Sequence, residues 1–364
     1  MVRYMRNTAM RGIPRYLMLL AVAAWATMPT AGQTGAKTGE WRYYGSDAGS
    51  TKYSPLDQIS KDNVKDLRIV WRWHAENFGP RPDYNLQATP LMVGGVLYTT
   101  AGSRRNVVAI DGATGETLWT FRFDEGQRGE RAARHQHRGV AYWTDATQER
   151  ILYITPGYQL IALDAKSGRP ISSFGRNGVV DLYEGLDRPD PKPGTLGSSS
   201  PPIVVKDVVV VGTAGLASVP TKENTAAPVR GYDVRTGKPM WIFHTIPRPG
   251  EFGHETWEND SWSYTGNTGV WAPMSADEDL GYVYLPVETP TNDFYGGDRL
   301  GDNVFANSGT VSRQMKSGKT RRRCAQDRER PYAIGRRPAR CRQCALTPGS
   351  VRGACRRTQP IPRR

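Results

Sequence analysis

The stretch that decides the fold is Val107-Val-Ala-Ile-Asp-Gly-Ala-Thr-Gly-Glu-Thr-Leu-Trp-Thr-Phe121. Its pattern returns at residues 160–174 and 229–243, with the frame Asp-x-x-(Thr/Ser)-Gly and an aromatic residue ten positions after the Asp. An apolar strand that ends in Asp and is followed by a Gly, which tolerates positive φ, is typical of a hairpin with a bulged turn. The three copies therefore predict three related hairpins.

The spacing of these copies indicates the architecture. The turn residues Asp111, Asp164 and Asp233 are 53 and 69 residues apart, enough for one four-stranded sheet and a loop per repeat. In two copies a tryptophan, Trp119 or Trp241, follows the Asp by eight residues, and we expect it to dock on the neighbouring repeat. Further apolar strand signals lie at residues 91–100, 150–155, 203–212 and 281–287. We predict an all-β protein in which residues 33–308 form about four to five blades of a larger β-propeller.

The C-terminal segment differs sharply in composition from the rest of the chain. Of 364 residues with 49 Lys plus Arg and 35 Asp plus Glu, residues 309–364 hold 15 Arg, 2 Lys, only two acidic residues and all four Cys. With no Trp or Phe, this segment cannot bury enough surface to offset its ordering entropy. We predict a disordered basic tail, and we attribute its abrupt Arg, Pro, Ala and Gly bias to an out-of-frame reading after about Ser308.

Two other interpretations of the tail have less support. Cys341-x-x-Cys344, with Cys324 and Cys355, suggests zinc, but the intervening lengths fit no standard two-plus-two pattern. The arginine clusters suggest nucleic acid, which an exported chain would rarely meet. We therefore predict no nucleic-acid partner.

The N-terminus carries an export signal. Arginines at positions 3, 6, 11 and 15 precede a short apolar run at residues 17–24, and small-residue cleavage sites follow it. A transmembrane anchor, the alternative, needs about 20 apolar residues. Residues 1–32 are therefore predicted to be a signal peptide, and the predicted location is the periplasm, with membrane association left open.

The repeats and four further stretches resemble the pyrroloquinoline quinone (PQQ) dehydrogenases, which are eight-bladed quinoproteins. These stretches are Trp41-Arg-Tyr-Tyr-Gly-Ser-Asp47, Arg138-Gly-Val-Ala-Tyr-Trp143, the segment 241–253 and Tyr282-Val-Tyr-Leu-Pro-Val-Glu-Thr-Pro290. The similarity is greatest to quinoprotein glucose dehydrogenase and its soluble exported relatives. It implies PQQ and Ca²⁺ as cofactors, an aldose or alcohol as substrate, and ubiquinone or a cytochrome as electron acceptor.

The resemblance also assigns site residues. It implies that the cofactor contacts Arg138, Trp271, Thr289, Gln87, Ser199 and one of His135 and His137. Thr289 matches the threonine of the glucose branch near the metal, and the loop that would supply a metal carboxylate offers Glu223 and Asn224. The vicinal cysteine pair of the alcohol-oxidising branch has no counterpart in residues 1–308.

The family's catalytic aspartate belongs to a blade that these residues do not include. We therefore expect this chain to be inactive, or nearly so, by itself. The alternative from another functional class is a non-enzymatic propeller of the outer-membrane assembly lipoprotein type, which has similar docking repeats. Such proteins lack the Arg-Gly-Val-Ala-Tyr-Trp stretch and have a lipidated N-terminal cysteine, the reverse of what this sequence shows.

Overall fold

The computed structural model describes residues 39–75, 78, 86–132, 137–186, 188, 194–216, 219–313 and 321–325. The predicted signal peptide, His135 and the tail after residue 325 lie outside these residues.

Sixteen strands of the described residues form four antiparallel four-stranded sheets, one after another along the chain. The first contains β1 (Leu91–Val93), β2 (Val96–Ala101), β3 (Asn106–Asp111) and β4 (Thr117–Phe121). The second contains β5 (Ala141–Thr144), β6 (Glu149–Ile154), β7 (Gln159–Asp164) and β8 (Val179–Asp181). The third contains β9 (Ile203–Val205), β10 (Val208–Val211), β11 (Val229–Asp233) and β12 (Pro239–Phe243). The fourth contains β13 (Ser275–Asp277), β14 (Tyr282–Val287), β15 (Ser308–Arg313) and β16 (Arg321–Ala325).

Helical structure in the described residues is short. It consists of α1 (Gln127–Glu130) and the 3₁₀ turns Val64–Asp66, His254–Thr256 and Ser261–Ser263. Within the described part of the chain, no helix has the length and apolar character that crossing a membrane requires. The all-β partial propeller is therefore confirmed, and the predicted strands at residues 91–100 and 203–212 are each a two-stranded hairpin.

The core lies between successive sheets. Ile151 and Tyr153 of β6 belong to an apolar cluster shared with the first sheet, whereas Leu152 and Ile154 belong to a cluster shared with the third. Successive strand residues point to opposite faces, so a blade between two others must be apolar on both. This explains why the strands read as continuous apolar runs.

The repeated turn has the predicted geometry. The Asp111 carboxylate accepts the backbone N–H groups of Ala113 at 2.9 Å and Thr114 at 2.7 Å, and Gly115 has φ +76°. Equivalent turns follow β7 and β11, where Gly168 and Gly237 have φ +68° and +72°. The carboxylate of each Asp thus accepts hydrogen bonds from backbone N–H groups of the turn. The Gly takes a positive-φ backbone conformation that other residues rarely adopt.

Trp119, which follows the first of these turns, joins neighbouring blades. Trp119 Nε1 donates to the Ala165 carbonyl at 3.0 Å, and its ring covers Gly168 of the next sheet. Trp71 repeats this contact one blade earlier, because its Nε1 donates to the carbonyl of Gly112 at 3.2 Å and its ring covers Gly115. Residues around Trp71 therefore occupy the outer-strand position of a preceding blade.

Regular structure runs past Ser308, where the sequence analysis expected it to end. Strand β15 pairs with β16, and Thr310 lies opposite Cys324. Strand β3 pairs with β4, and Val107 lies opposite Phe121. The two residues of each pair are 14 positions apart in the sequence. Counted along the sequence from these pairs, Gln314 stands where the repeat has Asp, and Ser317-Gly318 stands where it has Thr-Gly; these three residues lie outside the residues that the structure describes. The sequence after Ser308 therefore resembles the repeat loosely, and the boundary at about Ser308 stays a prediction.

Candidate functional site

Strand order places the predicted site residues on one face of the propeller. In an antiparallel four-stranded sheet, the start of the first strand and the loop between the second and third lie at the same edge. Arg138, Ser199 and Trp271 each come shortly before a first strand, namely β5, β9 or β13. Thr289 follows β14, and Asn224 lies in the loop between β10 and β11. The repeated Asp turns lie at the opposite edge.

Three of the predicted residues, from three different blades, are in contact. The Arg138 guanidinium donates to the Ser199 carbonyl at 3.2 Å and lies over the Trp271 ring, with its carbon 5.3 Å from the ring centroid. The Ser200 hydroxyl donates to the Trp271 carbonyl at 2.6 Å and fixes that loop. This arrangement confirms none of the assigned roles by itself, but it assembles a cation and an indole that is 40% exposed.

The segment before β1 joins this group through its backbone. Thr89 N–H donates to the Arg138 carbonyl at 3.2 Å, which holds the two segments side by side. Gln87 lies two residues before Thr89, and its side chain is exposed. The structure thus places Gln87 beside the group.

His137 is the predicted histidine that the structure describes. It is buried, and its Nδ1 accepts the N–H of Gly139 at 3.1 Å. Burial lowers its pKa well below the ordinary value, and the nearby charges of Arg105 and Arg138 lower it further. The imidazole is therefore neutral.

The predicted metal residues lie in two neighbouring loops. Asn224 donates its amide N–H groups to the carbonyl of Leu216 and to the hydroxyl of Thr291, both at 2.7 Å, and Thr289 donates its hydroxyl to Asn307 Oδ1 at 2.5 Å. Glu223 is exposed.

Sequence reasoning missed Asn267, the residue that connects these loops. It is fully buried with φ +56°, and its side-chain N–H donates to the Thr289 carbonyl at 3.0 Å. Its backbone N–H donates to the Thr225 carbonyl at 2.8 Å. The signal was present in Gly266-Asn-Thr-Gly269, a turn-forming run shortly before Trp271.

Comparison with known proteins agrees with this geometry. Residues 41–322 match the family described as "PQQ: Glucose/ethanol/alcohol dehydrogenase, beta-propeller domain". The chain belongs to the PQQ-dependent dehydrogenase family.

Curated members of this family are similar over most of the chain. The glycerol dehydrogenase large subunit of Gluconobacter oxydans (strain 621H) is 32% identical over 300 residues, which cover 78% of this chain and 38% of the relative. The quinoprotein glucose dehydrogenase of Escherichia coli (strain K12) is 30% identical over 316 residues, which cover 82% of this chain and 38% of the relative. The chain therefore spans less than two fifths of the length of these relatives.

Solved structures of the family agree in fold. The quinohemoprotein alcohol dehydrogenase from Comamonas testosteroni superposes with a TM-score of 0.60 at 25% identity, over 81% of this chain and 42% of that one. The family match extends to residue 322.

The side chains that the structure brings together have the chemistry needed to bind PQQ, the cofactor of this family. PQQ is planar and carries three carboxylates, and the site offers an exposed indole face beside a guanidinium. Among the described residues, Arg138 forms no ion pair with a carboxylate, and the buried Nε2 of His137 has no hydrogen-bond partner. Both are binding groups that lack an anionic acceptor.

Calcium fits less well. Ca²⁺ takes six to eight oxygen ligands, usually including carboxylates. The part of the chain that the structure describes holds no group of three or more His, Cys, Asp or Glu residues suited to a metal ion. The Asn224 amide oxygen already accepts the N–H of Thr225 at 2.8 Å. These residues do not complete a calcium site.

Proposed function

We propose that this chain forms the PQQ-binding N-terminal part of a dehydrogenase that oxidises an aldose or another alcohol. The observation that carries the proposal is the contact of Arg138 with Trp271 and Ser199, which brings three blades together around an unpaired cation. When bound, PQQ supplies the capacity to accept the two electrons of alcohol oxidation. Ubiquinone or a cytochrome is the proposed electron acceptor.

The residues of this chain have distinct roles in the proposal. Arg138 offers a planar fork of donors that neutralises a carboxylate, and Trp271 provides a flat surface for stacking. The Ser199 carbonyl orients the guanidinium, and the Ser200 hydroxyl holds the Trp271 backbone. Because the catalytic base of the family is not among these residues, we propose that the chain binds the cofactor but does not turn over substrate alone. Calcium is not part of the proposal, for the reasons given above.

The binding step can be tested directly. We expect PQQ to quench the tryptophan fluorescence of the pure chain, and Arg138→Gln to weaken PQQ at least tenfold through loss of a charged hydrogen bond. Arg68→Gln, an exposed arginine outside the site, is the matched control and should leave the affinity unchanged. Absence of PQQ binding by the wild-type chain would refute the proposal. Turnover of glucose or ethanol with added PQQ would refute the expected inactivity.

Export to the periplasm is part of the same proposal. It is supported by the arginine-rich start and short apolar run of residues 1–32. A fusion of these residues to a reporter that is active only after export should be active, and deletion of residues 17–24 should abolish that activity. An inactive intact fusion would contradict the proposal.

A further inference from the structure

Tyr158, in the loop between β6 and β7, reaches from the second blade to the third. Its side chain is fully buried, and its hydroxyl bonds to the hydroxyl of Thr213, in the loop between β10 and β11. Its φ is +64°, a left-handed conformation that a non-glycine residue keeps only when its surroundings hold it. The Tyr158 carbonyl accepts the N–H of Leu182 at 3.2 Å and the Arg128 guanidinium at 3.3 Å. The backbone that carries the hydroxyl is therefore fixed.

Arg230 sets the direction of the bond between the two hydroxyls. Its guanidinium donates to the Tyr158 hydroxyl at 3.4 Å and to the Glu184 carbonyl at 2.9 Å. A guanidinium has donors only, so the Tyr158 oxygen is the acceptor in that contact, and its own proton is available to Thr213 Oγ1. Tyr158 is therefore the donor, and Thr213 the acceptor.

Thr213 in turn sets the position of the segment that carries Trp271. The Thr213 carbonyl accepts the N–H of Val270, the residue before Trp271, at 2.7 Å. A Cβ at Gly269 would lie 2.1 Å from the same carbonyl oxygen, so the two segments are as close as a glycine allows. Thr213 and Val270 are both fully buried. Because a packed interior leaves little free volume, a shift of Thr213 moves the Trp271 backbone with it.

Ala214 sets the position of the Ser199 segment in the same way. Ala214 and Gly197 exchange both backbone N–H···O bonds, at 2.9 and 3.0 Å, and Gly197 lies two residues before Ser199. The Ser199 carbonyl accepts the Arg138 guanidinium, and the Trp271 ring lies under it. One short segment of the third blade thus links both of these groups to the hydroxyl from the second blade.

We propose that Tyr158 is a positioning residue of the cofactor site, acting through its hydroxyl bond to Thr213. This inference rests on the proposed PQQ binding and adds which residue of the second blade fixes the groups around Arg138. Without the Tyr158 hydroxyl, Thr213 Oγ1 loses its donor, and the segment that it anchors relaxes. The Ser199 carbonyl and the Trp271 ring are then less well ordered before the cofactor arrives, and ordering them on binding lowers the affinity.

Variants at both ends of the hydroxyl bond test the proposal. Tyr158→Phe keeps the ring and removes the hydroxyl, and we expect it to weaken PQQ about threefold to tenfold in fluorescence titrations, the range for one neutral hydrogen bond. Thr213→Val removes the same bond and should cause a similar loss, whereas Thr213→Ser keeps the hydroxyl and should bind within about twofold of the wild type. The double variant Tyr158→Phe/Thr213→Val should bind no more weakly than either single variant, because one bond is lost in all three. Fully additive losses would contradict the proposal.

Tyr98→Phe is the matched control. Tyr98 is also buried, and its hydroxyl donates to the Ala165 carbonyl of the next blade at 3.3 Å, at the edge that carries the Asp turns. Both phenylalanine variants should lower the midpoint of urea denaturation, but only Tyr158→Phe should weaken PQQ. Equal losses of PQQ affinity in the two variants would show a purely structural effect and overturn the inference. Wild-type affinity in Tyr158→Phe would overturn it as well.

A measurement without the cofactor separates this inference from the proposed function. In chains with ¹⁵N-labelled tryptophan, the indole N–H resonance of Trp271, assigned with Trp271→Phe, should shift in Tyr158→Phe and stay in place in Tyr98→Phe. Thr213→Val should cause a similar shift and replaces Tyr158→Phe if that variant does not fold. An unchanged Trp271 resonance would overturn the inference. Absence of PQQ binding by the wild type would instead refute the proposed function, and the resonance then decides by itself whether Tyr158 positions the Trp271 segment.

Discussion

Substitution of Gly168 by alanine measures what the docking of one blade on the next contributes. Gly168 has φ +68°, and a Cβ there would lie 2.4 Å from Trp119 Cε3. The ring cannot move freely, because its Nε1 is bonded to the Ala165 carbonyl at 3.0 Å. Left-handed backbone costs about 1–2 kcal/mol for a non-glycine residue, and overpacking adds about 1–3 kcal/mol. We expect Gly168→Ala to lower the free energy of unfolding by about 2–5 kcal/mol.

Gly185→Ala is the matched control. Gly185 has φ +71°, and a Cβ there meets nothing within 4 Å, so only the backbone cost of about 1–2 kcal/mol applies. Urea denaturation followed by circular dichroism gives both values. In the Gly168→Ala background, Trp119→Leu should cost less than it does alone, because the smaller side chain removes the clash. Equal losses for the two glycine variants would refute the reasoning.

Four other predictions concern an ion pair, the pH dependence of stability, an exposed apolar residue and the reading frame of the gene. Burial raises the pKa of Asp181, but its bonds to Arg128 at 2.6 and 2.7 Å outweigh this and lower it, so Asp181→Asn should cost about 1–3 kcal/mol at pH 7. That difference should shrink as the pH falls below about 4 in urea unfolding. Folded His137 resists protonation, so stability should decline below about pH 6.5 by up to about 1.4 kcal/mol per pH unit, and His137→Gln should remove this slope. Identical slopes would contradict that. Val70 is 83% exposed on a segment without strand partners among the described residues, so Val70→Lys should reduce light scattering while changing stability by less than about 0.5 kcal/mol. Resequencing the gene should show an inserted or deleted base after about the codon for Ser308, and a frame confirmed as written would refute the frameshift.

The sequence was sufficient for the fold because the repeat encodes it locally. Asp111, Gly115 and Trp119 specify a turn, its backbone conformation and its contact with the next blade within nine residues. Such a pattern needs no knowledge of distant residues. The apolar runs between the turns then follow from burial of both faces of each sheet.

The candidate site was less accessible to sequence reasoning, because its contacts join loops that are far apart in the chain. Arg138 meets Trp271 across 133 positions, and only the family resemblance suggested that pair. Asn267 has no such resemblance to point to it, and its role follows from bonds to two other loops. Residues that act by connecting loops become visible only when the loops are placed.

The stretch around residues 314–319 resembles the repeat in sequence, with some of its key residues replaced. The pattern was defined by Asp-x-x-(Thr/Ser)-Gly and an aromatic residue ten positions after the Asp, and this stretch has Gln314 and Cys324 at the first and last of these positions. Lys316-Ser-Gly-Lys319 still matches Lys166-Ser-Gly-Arg169 in sequence. The pairing of β15 with β16 follows that of β3 with β4 over three residue pairs, up to the bulge between Ala109 and Ile110, which β15 lacks. Gly is the residue that the turn backbone requires, whereas Asp and Trp add hydrogen bonds and docking to a turn already formed. In the three hairpins that the structure describes, the Gly is therefore a better marker of the turn than the Trp, which the second copy replaces with Ser172.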